Sequence, residues 1–374
     1  MLSYLETVND MINATNANTM REKNRRLIID LIRKDELSRA DIAKKTSLTK
    51  AAVSIIVDDL VKSGLVKEFK SAETGIGRRP LCLTLNRELM YAVGLNITRS
   101  YAELGLVDIS GKILCERRLS VHPKKEAIKE IIGSIEAMIK ESGVPTENIY
   151  GIGVSAPGPV DTQNTTILNP TNFDEWHYEN IGLRLKKAYK TEVYLENISG
   201  GLALSEKYFG IAKDMTDFLL LIVSDGIGSG IMNSGNLLRN ATEIGHTSIA
   251  YNGIECECGN IGCVEKYASV NAILKDTDYK SWKEVIDAED STIIEKEAGY
   301  LSCAIINAIN LFGFDRIILE GEINYKPDKI ISAIEKRLKN NTITKGNPKI
   351  LSGSAFSGVV CAAVTVFDNY FNEY

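Results

Sequence analysis

Residues 243–269 read EIGHTSIAYNGIECECGNIGCVEKYAS. Within them His246 offers an imidazole, and Cys256, Cys258 and Cys263 offer three thiols. One nitrogen and three soft sulfurs form the donor set of a structural zinc ion. With all four positions filled by protein, no open position remains for catalysis. The C-x-C pair is followed by Cys263 after four intervening residues, and Gly259 and Gly262 let a tight loop close around one ion. The alternative is a set of reduced, buried cysteines beside a core histidine, and three cysteines within eight residues weigh against it. The remaining four cysteines (82, 115, 303 and 361) lie in apolar stretches and are expected in the core. An odd total of seven, with no basic-then-apolar leader at the N-terminus, argues against a disulfide framework and for the cytoplasm.

Working outward, the 374 residues are enough for two or three cores, and no apolar run approaches the roughly 18 residues of a membrane span. Charge is unevenly spread. Residues 21–90 carry 16 Lys and Arg against 10 Asp and Glu, whereas the rest of the chain is acidic, 28 against 39. A basic head on an acidic body suits a nucleic-acid module joined to something else, although a solvated basic face would look the same.

The local pattern of that head is sharper. Residues 19–34 place Leu27, Ile28, Leu31 and Ile32 on one helical stripe. Ser38 and Asp41 have the spacing of a capping box for a second helix, with Ile42 and Ala43 inward. After a turn at 46–48, Thr49 caps a third helix whose Val53, Ile56, Val57 and Leu60 recur at helical spacing up to Gly64. Two strands around a loop follow, which makes a wing. The whole is a winged helix-turn-helix, the alternative being a small helical domain for protein contacts. Docking in the major groove would direct Lys50, Ala51 and Ser54 at DNA, with Arg78 and Arg79 in GIGRRP at the wing tip.

From about residue 91 strands alternate with helices in two successive halves, the pattern of an actin/hexokinase-like body with a cleft. Here the opening segment becomes decisive. E-x-G-H followed by C-x-C-G-x-x-G-C-x-E resembles the signature of the ROK family (repressors, open reading frames and sugar kinases). The helix-turn-helix followed by G-R-R-P resembles its repressor branch, which includes xylose and N-acetylglucosamine repressors. The resemblance runs from about residue 19 to 372. It implies the same four zinc ligands, and sugar contacts from Glu243, Glu265 and His246, from Asn197 in E-N-I, and from Asn172 as the nearest match in NPTNFDEW.

Against related kinases four departures stand out. Ile198 occupies the position of the catalytic base, and isoleucine accepts no proton. Asn96 replaces the carboxylate of the first phosphate loop, with Ile97 at or beside its glycine. Asp225 stands where Thr is usual, and Glu320-Gly321-Glu322 replaces the adenosine loop.

The expectation is therefore an α/β chain that is not an enzyme. A winged helix-turn-helix over 1–88 precedes a two-lobed ROK body over 89–374, with lobe one about 89–200 plus the C-terminal helix and lobe two about 201–356. Its expected partners are operator DNA, a sugar-like effector and a second copy of the chain as a homodimer or higher homo-oligomer. An active ATP-dependent sugar kinase with an appended head and an effector-free repressor stay open as alternatives.

Overall fold

The computed structural model describes residues 20–70, 81–239, 242–339, 341 and 348–373. The N-terminal head has the expected elements. A helix over 20–34 is followed by Arg39–Thr46 and Lys50–Lys62. Ser38 and Asp41 form the capping box in both directions, and Thr49 accepts from the Ala52 N–H at 3.2 Å. Val53, Ile56, Val57 and Leu60 are all buried. The first helix differs in its facing: Leu27 is 43% exposed, and Ile29 joins Ile28 and Ile32 in the core instead. On the same helix Arg33 donates to the Lys207 and Tyr208 carbonyls of the neighbouring body. Strands Val66–Lys70 and Leu81–Leu85 pair antiparallel, and the short strand Leu37–Ser38 adds to the far edge. Residues 71–80 lie outside the described residues, and with them Arg78 and Arg79.

Lobe one is a five-stranded sheet in the order Val193–Asn197, Ile149–Ala156, Tyr91–Ile97, Tyr101–Asp108, Ile113–Ser120, in which the first three strands run parallel. The C-terminal helix Gly358–Glu373 returns to cover one face of it. Gly94 and Gly153 are register partners on adjacent strands under that helix. A Cβ on them would lie 2.1 Å from the Val359 carbonyl oxygen and 1.9 Å from that of Ala362. The helix can lie this close only on a surface without side chains.

Lobe two is a second five-stranded sheet: Asn236–Leu237, Ile227–Asn233, Phe218–Val223, Arg316–Glu320, Lys349–Ser352. Helices Ser291–Phe312 and Asp328–Leu338 pack with it around a core containing Trp282. Helix Ile198–Tyr208 lies between the lobes, against both the C-terminal helix and strand Ile227–Asn233. The expected lobe boundary at 200–201 thus falls inside one continuous helix. The buried core of the head runs without a break into that of lobe one. Among the described residues no helix is long and apolar enough to cross a membrane.

Candidate functional site

The ligand atoms of His246, Cys256, Cys258 and Cys263 converge to within 4.8 Å of one another. His246 comes from a short 3-10 turn and the cysteines from the loop that follows, closed by a bridge between Ser248 and Cys263. His246 Nδ1 lies 3.6 Å from Cys256 Sγ, and Cys258 Sγ lies 3.7 Å from Cys263 Sγ. A tetrahedron with metal–sulfur arms of ~2.3 Å has edges of ~3.8 Å, so these spacings suit a tetrahedral ion. By donor type and geometry the four side chains are a group that could hold a metal ion. Burial, and then its two neighbouring thiols, push Cys263 up to about 12.

A cleft of about 280 Å³ opens beside the cluster, between the lobes. It is lined by Asn197, Ile198, Glu243, His246 and Glu265, so the structure gathers four of the five expected effector residues there. His246 belongs to both the cleft and the metal cluster, with Nδ1 directed at the metal position. Glu265 accepts from the Ile227 N–H at 2.8 Å, which fixes the start of the glycine-rich strand. Asn197 caps helix Ile198–Tyr208, its Oδ1 accepting from Gly200 N–H at 2.6 Å, so its amide N–H2 is the group left for the cleft.

Asn172 is a correction. It is exposed on a turn at φ 56° and does not line the cleft; Thr171 does, and Asn169 lines the adjoining hollow with Glu243 and His246. Two readings of the kinase loops also change. Ile97 is fully buried in the lobe-one core, and Arg99 is the residue that reaches the cleft. Arg99 and Ser199 carried no sequence signal beyond their neighbourhood. Glu320 is buried beside Glu206 rather than facing a nucleotide; burial, and then that second carboxyl, push it up to about 7. Asp225 is exposed at the cleft, accepting from Asn271 at 3.0 Å, and Asn96 is buried, donating to Glu103 at 3.1 Å. Ile198 stands half-buried in the cleft wall at the first position of its helix.

On the head, Lys50 and Ala51 are exposed and Ser54 half-buried along the first turns of helix Lys50–Lys62. Ala51 faces away from the buried stripe and Ser54 flanks it, whereas Lys50 lies in line with Val53 and Val57 and is exposed at the helix's first position.

A winged helix-turn-helix fused to a two-lobed, sugar-kinase-like body is the class that this fold and cleft define. The chain belongs to the ROK family, which it matches over residues 92–362. It is 26% identical to the xylose repressor of Bacillus subtilis (strain 168), over 87% of this chain and 89% of that protein. It is 29% identical to the N-acetylglucosamine repressor of Escherichia coli O157:H7, over 82% of each. Its fold matches the crystal structure of a ROK family transcriptional regulator, a homologue of the E. coli MLC protein, with a TM-score of 0.77 at 23% identity, covering 94% of this chain and 97% of that one. Solved sugar kinases of the family share the two lobes.

Proposed function

We propose that the protein is a cytoplasmic transcriptional repressor in which a non-catalytic kinase-like body senses a sugar or sugar derivative. The observation that carries this reading is the cleft wall. Asn197, Glu243, His246 and Glu265 offer the donors and acceptors a polyol needs, while Ile198 lines the same wall where a kinase needs a base. The names of its relatives, repressors tied to xylose and N-acetylglucosamine, support the same reading. Lys50, Ala51 and Ser54 then read operator DNA, with Arg78 and Arg79 of the wing reaching the backbone or minor groove. A homodimer presents two such heads, as paired half-sites require.

Zinc is the ion that three thiolates and one imidazole favour. When bound, it supplies structure: it locks the loop that carries His246 into the cleft. His246, Cys256, Cys258 and Cys263 hold it, and Glu243, three residues before His246, is placed by the same turn. Closure of the lobes on a ligand would shift the heads relative to one another and change operator affinity.

A thermal-shift panel of sugars with and without ATP tests the reading. Stabilisation by a sugar alone is the expected result. Stabilisation that needs both, with sugar phosphate formed, would mark an active kinase, and no response to any sugar would mark an effector-free repressor.

A further inference from the structure

We propose that helix Ile198–Tyr208, braced by Arg239, is the part that transmits the state of the cleft to the DNA-binding head. The proposal rests on reading the cleft as the effector site. The helix is about 16 Å long for its 11 residues. One end lies in the cleft: Asn197 caps it, and Ile198 and Ser199 line the wall. This end is wedged against the glycine strand of lobe two, where a Cβ on Gly230 would lie 2.5 Å from the Ser199 carbonyl oxygen. A movement of that strand on closure therefore presses on the helix, because close-packed backbone has no slack.

The other end is held by the head. Arg33, on the first helix of the head, donates from Nη1 to the last two carbonyls of helix Ile198–Tyr208, at 3.2 Å to Lys207 and 2.9 Å to Tyr208. Its guanidinium carbon lies 4.3 Å over the Tyr208 ring, and its side chain is only 4% exposed. A cation on the negative end of a helix, packed on an aromatic face, is a specific and desolvated contact. Lys34 reinforces the junction by pairing with Asp214 at 3.0 Å.

A second connection runs beside the helix. Glu196, directly before the cleft residues, accepts from Arg239 Nη1 at 2.8 Å. Arg239 Nη2 donates to Asp368 of the C-terminal helix at 2.8 Å. Asp368 in turn accepts from the Tyr208 hydroxyl at 3.1 Å, and Tyr208 carries Arg33. Glu196, Asp368 and Tyr208 are all buried, so each has few alternatives to these partners. Arg239 thus ties the cleft end, the C-terminal helix and the junction end into one body. Arg21 extends it to helix Lys50–Lys62 through Asp59 at 2.7 Å.

Amide hydrogen exchange on the full chain tests the coupling. Ile198→Asp perturbs the cleft end without a ligand, and an acidic residue at a first helical position leaves the helix stable. Exchange is expected to change by about threefold or more at residues 20–35 as well as at 196–202, with Lys124–Ser142 unaffected. Arg33→Met should abolish the change at 20–35 and keep that at 196–202; Tyr208→Phe, which deletes one hydroxyl, should reduce it. A change confined to 196–202, or one that persists at 20–35 in both Arg33→Met and Tyr208→Phe, would overturn the proposal. Millimolar D-xylose and N-acetylglucosamine, added to the parent, read the cleft separately. If neither alters 196–202, it is the effector reading for these sugars that fails, and the Ile198→Asp result still decides the coupling.

Discussion

The carboxyl groups of Glu206 and Glu320 meet inside the protein, where helix Ile198–Tyr208, the end of strand Arg316–Glu320 and the turn before the C-terminal helix come together. Glu206 accepts from the Ser354 N–H at 2.5 Å and the Ile211 N–H at 2.9 Å, and Glu320 accepts from the Ala355 N–H at 3.0 Å. Two carboxylates this close cannot both ionise cheaply, so one proton stays.

A pH dependence follows from that proton. Glu320 keeps it up to about 7 when folded, against 4.5 for an ordinary glutamate. Between these values the folded chain binds the extra proton, so the contribution is complete below pH 4.5 and is lost as pH rises through 7. Glu320→Gln stays neutral throughout. It should match the parent near pH 5 and exceed it near pH 8 by about 1–3 kcal/mol in urea unfolding. An equal difference at both pH values would count against a shared proton.

Metal content is the next test. Purified protein should carry one zinc per chain by elemental analysis. Cys258→Ser should lose most of it and expose residues 247–263 to limited proteolysis, because metal binding and loop folding are linked. Metal-free protein with an intact, protease-resistant loop would contradict the assignment.

For the head, Lys50→Ala should weaken DNA binding and lower the slope of log affinity against log salt by about one unit, as loss of one phosphate contact requires. Arg78→Ala with Arg79→Ala should do so by about two. Unchanged affinity and slope in both variants would mean that DNA docks elsewhere.

At the cleft, incubation with ATP and a sugar panel should give no sugar phosphate above background, since Ile198 accepts no proton. Glu243→Gln should weaken binding of whichever sugar stabilises the parent by about 1–3 kcal/mol while leaving ligand-free DNA binding intact. Turnover on any sugar would restore the kinase reading.

What the sequence made legible was local. The capping box at Ser38 and Asp41 and the cap at Thr49 are contacts within three residues, and both form as spacing predicts. The metal cluster was readable because three of its four ligands fall within eight residues, close enough for one loop to gather them. A motif match names a segment but not which of its side chains faces inward: Thr171 rather than Asn172 lines the cleft, and Arg99 reaches it while Ile97 is buried. Arg239 was invisible because its partners, Glu196 and Asp368, lie 43 and 129 residues away, and only the packed lobes bring them together.

The most direct measurement selects duplexes from random DNA with the full chain, then titrates the selected duplex by fluorescence anisotropy with and without each sugar of a panel that includes D-xylose and N-acetylglucosamine. A specific site with two half-sites should emerge, and at least one sugar should change its affinity by about fivefold or more, the scale of a modest coupling between sites. Enrichment of no sequence over non-specific binding, or an affinity that no sugar alters, would contradict a sugar-responsive repressor.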